Sequence, residues 1–346
     1  MWGSPRGFTI AIDDPRRCSV TIPTPNRTLS PFVVRTGASL AAGKFSDPAL
    51  TARGERRAAV DLRALETLWF NTGTLCNLTC LNCYIESSPR NDALSYLAAD
   101  EVDRFLDEID ELRLPTREIG FTGGEPFMNP EIIAMLTLAL TRGHGVLVLT
   151  NAMRPMMRRA DELVVLRERF GAGLTFRVSL DHHTEAVHDA ERGDGAWDKA
   201  IAGLLWLSRE GFRIAVAGRS LPGESEADAR ASYGRLFEDL RLAVDATDPA
   251  QLVLFPEMDA SGDVPEITEA CWGLLGKSPD DVMCSSSRMV VKRKGAARPA
   301  VVACTLIPHD PGFELGGSLS EALEPVRLNH PHCARFCVLG GGRCSA

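Results

Sequence analysis

The chain has no apolar run long enough to cross a bilayer, which excludes a helical membrane span. Nor does it have an excess of positive charge: 38 Lys and Arg against 46 Asp and Glu leave a formal −8, which argues against nucleic acid as a partner. The longest basic run, Val290 to Val301, alternates with apolar residues and predicts a hairpin rather than a polyanion site. The first residues lack a charged segment leading into a long apolar stretch, so no signal peptide is read there and a cytoplasmic protein is expected. There is no repeat of solenoid period and no low-complexity tail. What remains is an ordinary globular composition, 45% hydrophobic and 24% charged over 346 residues, long enough to bury a large core.

Cysteine, by contrast, is plentiful. Ten cysteines in a reducing compartment are metal ligands rather than a disulfide framework. Cys76, Cys80 and Cys83 lie within eight residues, and Cys284, Cys304, Cys333, Cys337 and Cys344 form a second group. Cys18 and Cys271 stand alone and read as buried thiols.

Residues 1–63 are rich in Pro, Arg, Thr and Ser and read as an irregular N-terminal extension, with strand-like alternation at 7–12 and 18–23. From Thr67 to Glu257 short apolar runs ending in turn signals alternate with amphipathic stretches. One example is ADEVDRFLDEIDEL, with Val102, Phe105, Leu106, Ile109 and Leu112 at helical spacing. The pattern predicts six parallel strands and five covering helices, curled into a partial (βα)6 barrel or laid flat as a doubly wound sheet. Either way reactive groups belong at the C-terminal strand ends, and the first cysteine group follows strand one directly. The expected division is 1–63, a 64–257 core, and a cysteine-rich 258–346 unit.

The spacing Cys-x3-Cys-x2-Cys offers three thiols. A closed structural zinc site wants four. A four-iron cluster held by three thiolates keeps one iron open to a ligand from outside the protein. Zinc and a chance cluster of core thiols are the plainer alternatives.

The stretch CNLTCLNCY, with Tyr84 after the third cysteine, resembles the signature loop of radical S-adenosylmethionine enzymes. Later motifs fall in the family's order. Gly123, Gly124, Glu125 and Pro126 match its GGEP element, Thr150 and Asn151 its TNG element with Ala152 in place of glycine, and Ser179, Asp181 and Arg192 its SLDG…HD…RG stretch with His182 in place of glycine. The resemblance implies a [4Fe-4S] cluster on Cys76, Cys80 and Cys83 whose open iron chelates S-adenosyl-L-methionine. It further implies reductive cleavage to a 5′-deoxyadenosyl radical that takes hydrogen from a substrate, with electrons from a flavodoxin- or ferredoxin-type donor. Cofactor contacts would come from Tyr84, the glycine turn, Glu125 toward the methionine ammonium, Asn151, Ser179, Asp181 and Arg192. His182, His183 and His188 read as ordinary surface histidines of a polar loop, with a metal or acid–base cluster as the alternative.

The second cysteine group, with Gly316, Gly317 and Ser318 between its members, resembles the SPASM and Twitch auxiliary-cluster extensions of the same superfamily. The resemblance implies one auxiliary [4Fe-4S] or 2Fe-2S cluster held by four of the five cysteines. Zinc remains open there. Two substrate classes follow, a small metabolite to be oxidised or rearranged and a ribosomally made peptide. No winged-helix leader-binding unit is evident among residues 1–63, which favours the metabolite. A non-catalytic iron–sulfur carrier would explain the cysteines but not the glycine turn or the polar strand ends.

Overall fold

The computed structural model describes residues 40–221, 223–256 and 263–342. The alternations expected at 7–12 and 18–23, Cys18, Glu257 and Cys344 lie outside the described residues.

A short strand, β1 (Ala59–Val60), precedes the regular alternation. Then come β2 (Thr67–Asn71), α1 (Ala99–Glu111), β3 (Glu118–Thr122), α2 (Ile132–Thr141), β4 (Gly145–Thr150), α3 (Arg154–Met157), α4 (Ala160–Phe170), β5 (Leu174–Ser179), α5 (Glu185–Arg192), α6 (Ala196–Arg209), β6 (Arg213–Ser220), α7 (Glu226–Asp239) and β7 (Leu252–Pro256). The six strands β2 to β7 and the five helices α1, α2, α4, α6 and α7 are the expected ones; α3 and α5 are additional. Beyond them lie α8 (Cys271–Leu275), β8 (Ser287–Val291), β9 (Ala300–Val302), β10 (Glu314–Gly316), β11 (Val326–Arg327) and a π-helix, Cys333–Leu339, besides short 3-10 turns.

Strands β2 to β7 are parallel in sequential order. Their period of two sorts side chains onto two faces. Phe70, Phe121, Val148, Phe176 and Val216 face the helices, where they meet Phe105, Leu136, Leu163 and Leu204 in the main core. Trp69, Leu147, Ala217 and Phe255 point to the other face and form a second cluster. In a flat sheet β2 and β7 would stand about 24 Å apart, five spacings of ~4.8 Å. Trp69 of β2 and Phe255 of β7 nevertheless share that inner cluster and line one cavity. The sheet is therefore curled, as the partial-barrel reading requires.

The sheet does not stop at the expected boundary near residue 258. β8 pairs parallel to β2, Thr67 against Ser287, and β9 and β10 extend it antiparallel to nine strands. β8 and β9 are the hairpin expected of the basic run. The segment before the core also belongs with the C-terminal part: β1 pairs with β11, and the buried Arg57 guanidinium contacts Glu266 Oε1 at 2.5 Å.

Candidate active site

The cysteine loop leaves β2 at Asn71 and is pinned at its base. The Thr74 amide donates to Leu94 O at 3.1 Å, and the Leu94 amide returns a bond to Thr74 Oγ1 at 3.1 Å. Backbone amides point at two of the sulfurs: Leu78 N–H at Cys76 Sγ (3.4 Å) and Ser87 N–H at Cys83 Sγ (3.2 Å). Such donors stabilise thiolate charge. Burial pushes the Cys76 thiol well above its usual value and the Cys80 thiol up to about 12, with Arg192 the largest opposing influence on Cys80.

Gly123 and Gly124 close onto this loop. Gly124 N–H donates to Gly73 O at 2.7 Å, and a Cβ at Gly124 would sit 2.1 Å from Leu75 O. Gly123 has φ +134° and would meet Gly73 O at 2.6 Å. The glycines thus let the end of β3 lie against the chain leading into Cys76, and both also line the cavity.

Glu125 is buried, and its carboxylate accepts from Thr150 Oγ1 (2.8 Å), Asn151 N–H (2.9 Å) and Phe127 N–H (3.3 Å). Burial pushes it up to about 7 against those bonds. It stands behind Thr150 and Asn151, which line the cavity while Glu125 and Pro126 do not. Asn151 reaches on through Nδ2 to Asn77 Oδ1 at 3.0 Å. Ala152, where the related motif carries glycine, adopts a left-handed φ of +56°.

Asp181 and Arg192 form a two-point ion pair, Nε to Oδ2 at 2.7 Å and Nη2 to Oδ1 at 3.0 Å. Against the cost of burial, Arg192 holds the Asp181 carboxyl below its usual value. The guanidinium is thus already engaged by a carboxylate of its own chain. Helix α5, read from sequence as loop, brings it there. The same helix supplies Glu191, which accepts from Asn82 Nδ2 at 2.9 and 3.1 Å and from Arg219 Nη1 at 3.0 Å, while Leu81 N–H donates to Glu191 O at 2.9 Å. The end of α5 is therefore clamped onto the cysteine loop. The three histidines are not surface residues. His182 is buried, His183 partly so, and His188 completely, with Nδ1 accepting Asp181 N–H at 3.2 Å. Burial, helped by Arg192, brings His188 down to about 4.

All three loop cysteines, Tyr84, Gly123, Gly124, Thr150, Asn151, Ser179, Asp181 and Arg192 line one cavity of about 170 Å³, together with Trp69, Ser87 and Arg219. Trp69 Nε1 and Ser87 Oγ are buried and have no hydrogen-bond partner among the described residues. Tyr84 stacks edge-on against Phe255 and Phe336, 5.9 and 5.7 Å between ring centroids. Trp69, Ser87, Glu191 and Arg219 escaped sequence reading. Trp69 alone had a signal, an aromatic one strand-period before Asn71 on the face that points inward.

Residues 70–236 match the model of the Radical SAM superfamily. That stretch is a radical SAM domain. Over 143 residues it is 32% identical to the antilisterial bacteriocin subtilosin biosynthesis protein AlbA of Bacillus subtilis, covering 41% of this chain and 30% of the relative. Over 137 residues it is 30% identical to mycofactocin maturase MftC of Mycobacterium tuberculosis, covering 40% and 33%. The similarity therefore spans about a third of each relative's length. Among solved structures, Streptococcus suis SuiB bound to the precursor peptide SuiA superposes with a TM-score of 0.54 at 12% identity, covering 78% of this chain and 65% of that one. At that identity the likeness is one of fold.

Outside the radical SAM domain, Cys284, Cys304, Cys333 and Cys337 converge on a small apolar cavity of about 20 Å³ walled by Val282, Phe313, Val326 and Leu328. Cys333 and Cys337 lie on one π-helix, Cys333–Leu339. Burial pushes Cys284 up to about 11 and Cys333 up to about 12. Arg288 is buried beside this group, and its guanidinium donates to four carbonyl oxygens, those of Cys284 (2.6 Å), Ser287 (2.8 Å), Ala322 (2.9 Å) and Glu324 (3.2 Å).

Proposed function

We propose that this chain is a radical S-adenosylmethionine enzyme that modifies a peptide, with one cluster on Cys76, Cys80 and Cys83 and an auxiliary cluster on Cys284, Cys304, Cys333 and Cys337. The observation that carries the reading is the three-thiol loop opening into a cavity lined by Trp69 and Ser87, whose buried Nε1 and Oγ have no partner among the described residues. The thiols are not gathered as a single tetrahedral ion would gather them. Tetrahedral zinc with bonds of ~2.3 Å holds its sulfurs about 3.8 Å apart. Among the described residues, no three cysteine sulfurs lie all within 4.8 Å of one another. Arg288, a buried cation whose partners among the described residues are carbonyls, fits an anionic thiolate group beside it.

Bound at the loop, the cluster and S-adenosylmethionine supply reductive cleavage of the sulfonium to a 5′-deoxyadenosyl radical. The protein's own part is positional. Glu125 fixes the ends of β3 and β4 by three bonds, so its influence on the cofactor passes through Thr150 and Asn151. Trp69 Nε1 and Ser87 Oγ offer donors to whatever fills the cavity. Trp69, Leu149, Phe255, Leu306 and Phe336 wall it with apolar surface that excludes water from reactive carbon.

The peptide reading rests on the groove beyond Tyr84 and Leu306. Both residues line the cavity and also an open groove of about 690 Å³ that runs past Leu40–Phe45, His309 and His330–His332. An open groove that shares two lining residues with the reactive cavity offers room for an extended chain beyond the cavity itself. AlbA, a bacteriocin biosynthesis protein, and SuiB, which binds a precursor peptide, point the same way. The test is anaerobic reconstitution, reduction with dithionite or flavodoxin, and assay of 5′-deoxyadenosine with short ribosomal peptides encoded beside this gene. Release that rises with peptide, with a changed peptide mass, is expected. Stimulation by small metabolites and not by peptide would return the substrate to the metabolite class.

A further inference from the structure

We infer that His182, His183 and Glu224 form a site for one divalent transition-metal ion of the zinc type, separate from both cysteine groups. The two histidines follow the end of β5, and Glu224 lies just ahead of α7. One ligand atom from each falls within 4.8 Å of the other two. His182 Nε2 is 3.6 Å from Glu224 Oε2, and His183 Nδ1 is 3.8 Å from Glu224 Oε1. These separations are too long for hydrogen bonds. They are close to the ~3.3 Å between ligands that bonds of ~2.0–2.1 Å impose around one tetrahedral ion. His183 Nδ1 and Glu224 Oε2 are buried and have no hydrogen-bond partner among the described residues, a condition that a cation between them relieves.

The surroundings hold the set in place. His182 Nδ1 faces Thr184 Oγ1 at 2.8 Å and Thr184 N–H at 3.1 Å. With a metal on Nε2, the ring proton moves to Nδ1, which then donates to the hydroxyl in exchange for the bond it otherwise accepts from Thr184 N–H, as the second nitrogen of a ligating histidine usually donates. The two imidazoles stack with centroids 3.9 Å apart, and His183 rests edge-on against Tyr233. Tyr233 is itself fixed by donation to Leu180 O at 2.7 Å. Two imidazoles and one carboxylate select zinc-like ions over calcium or magnesium. Three protein ligands leave at least one position open. Such an ion ties the chain ahead of α7 to the segment that carries Asp181, and so to one wall of the cavity.

The test uses the full chain with its clusters reconstituted, desalted and titrated with Zn2+ against a chromophoric chelator, with iron measured on the same samples. Wild type is expected to take up one zinc per chain that Glu224→Gln and His183→Ala each weaken by more than about 100-fold, while iron stays constant and Glu226→Gln behaves as wild type. As a check free of substitutions, bound Zn2+ in wild type is expected to protect His182 and His183 from acylation by diethyl pyrocarbonate. Absence of that zinc in wild type, affinity unchanged in both variants, or histidines acylated equally with and without Zn2+ would overturn the assignment.

Discussion

Cys80 is half-buried and Cys284 buried, and each thiol has an arginine nearby, but the two arginines are held differently. Arg192 is paired two-fold with the Asp181 carboxylate, in a cavity that Arg219, itself paired with Glu191, also lines. Arg288 donates to four carbonyls inside an apolar setting. The first region carries balanced charge beside open space, so it tolerates a ligand that arrives and leaves. The second encloses a cation against sulfur with almost no free volume, so it suits a permanent anionic group. The same residue type serves exchange in one place and permanence in the other, and the charge around it makes the difference.

The largest expected effect breaks the second region. Arg288→Met takes the guanidinium from the four carbonyls it donates to and removes a buried cation beside Cys284 and Cys304, and it should cost about 3–5 kcal/mol by denaturant unfolding, together with loss of the C-terminal iron. Next comes a pH effect confined to the first region. His188 is neutral in the folded chain down to about 4, whereas an unfolded histidine takes up its proton near 6.5. Stability from this group is therefore complete above pH 6.5 and falls as pH drops toward 4, by at most about 3 kcal/mol over that window. Replacement of His188 by Gln should flatten that part of the stability–pH curve; an unchanged slope would show that the imidazole is solvated.

Smaller effects sharpen the contrast through single atoms. Glu125→Gln keeps size but cannot accept at both oxygens from Thr150 and Asn151, so it should cost about 1–3 kcal/mol and weaken S-adenosylmethionine binding by calorimetry. Gly124→Ala drives a methyl against Leu75 O and should cost about 1–3 kcal/mol, with iron lost from the first loop. Gly317→Ala is the matched control in the second region. Its nearest neighbour would be Glu321 Oε2 at 3.9 Å, and a change under about 0.5 kcal/mol is expected.

Much of this was legible in the residues. Amphipathic stretches marked each core helix, three of them stopped by Gly143, Gly171 and Gly211, and the order of the cysteine loop, glycine turn and strand-end polar residues located the cavity. What stayed hidden depended on contacts across the sequence. Helix α5 is only eight residues with charged ends, and it holds because Asp181, Asn82 and Arg219 take up its last turn. Glu125 looked like a ligand group because its place in the turn is visible, whereas Thr150 and Asn151, which satisfy it, come from another strand. The extension of the sheet through β8 could not be read either, because pairing with β2 joins segments some 220 residues apart.

The central claim, that the first cysteine group carries the chemistry and the second does not, meets its most direct test in one assay. Anaerobic release of 5′-deoxyadenosine from S-adenosylmethionine should be compared, under dithionite, between Cys76→Ala/Cys80→Ala/Cys83→Ala and Cys304→Ala/Cys333→Ala. The first variant is expected to release none and to lack about four irons per chain. The second is expected to keep uncoupled release while losing C-terminal iron. Release surviving in the first variant, or vanishing in a folded second variant that keeps its loop iron, would contradict the account.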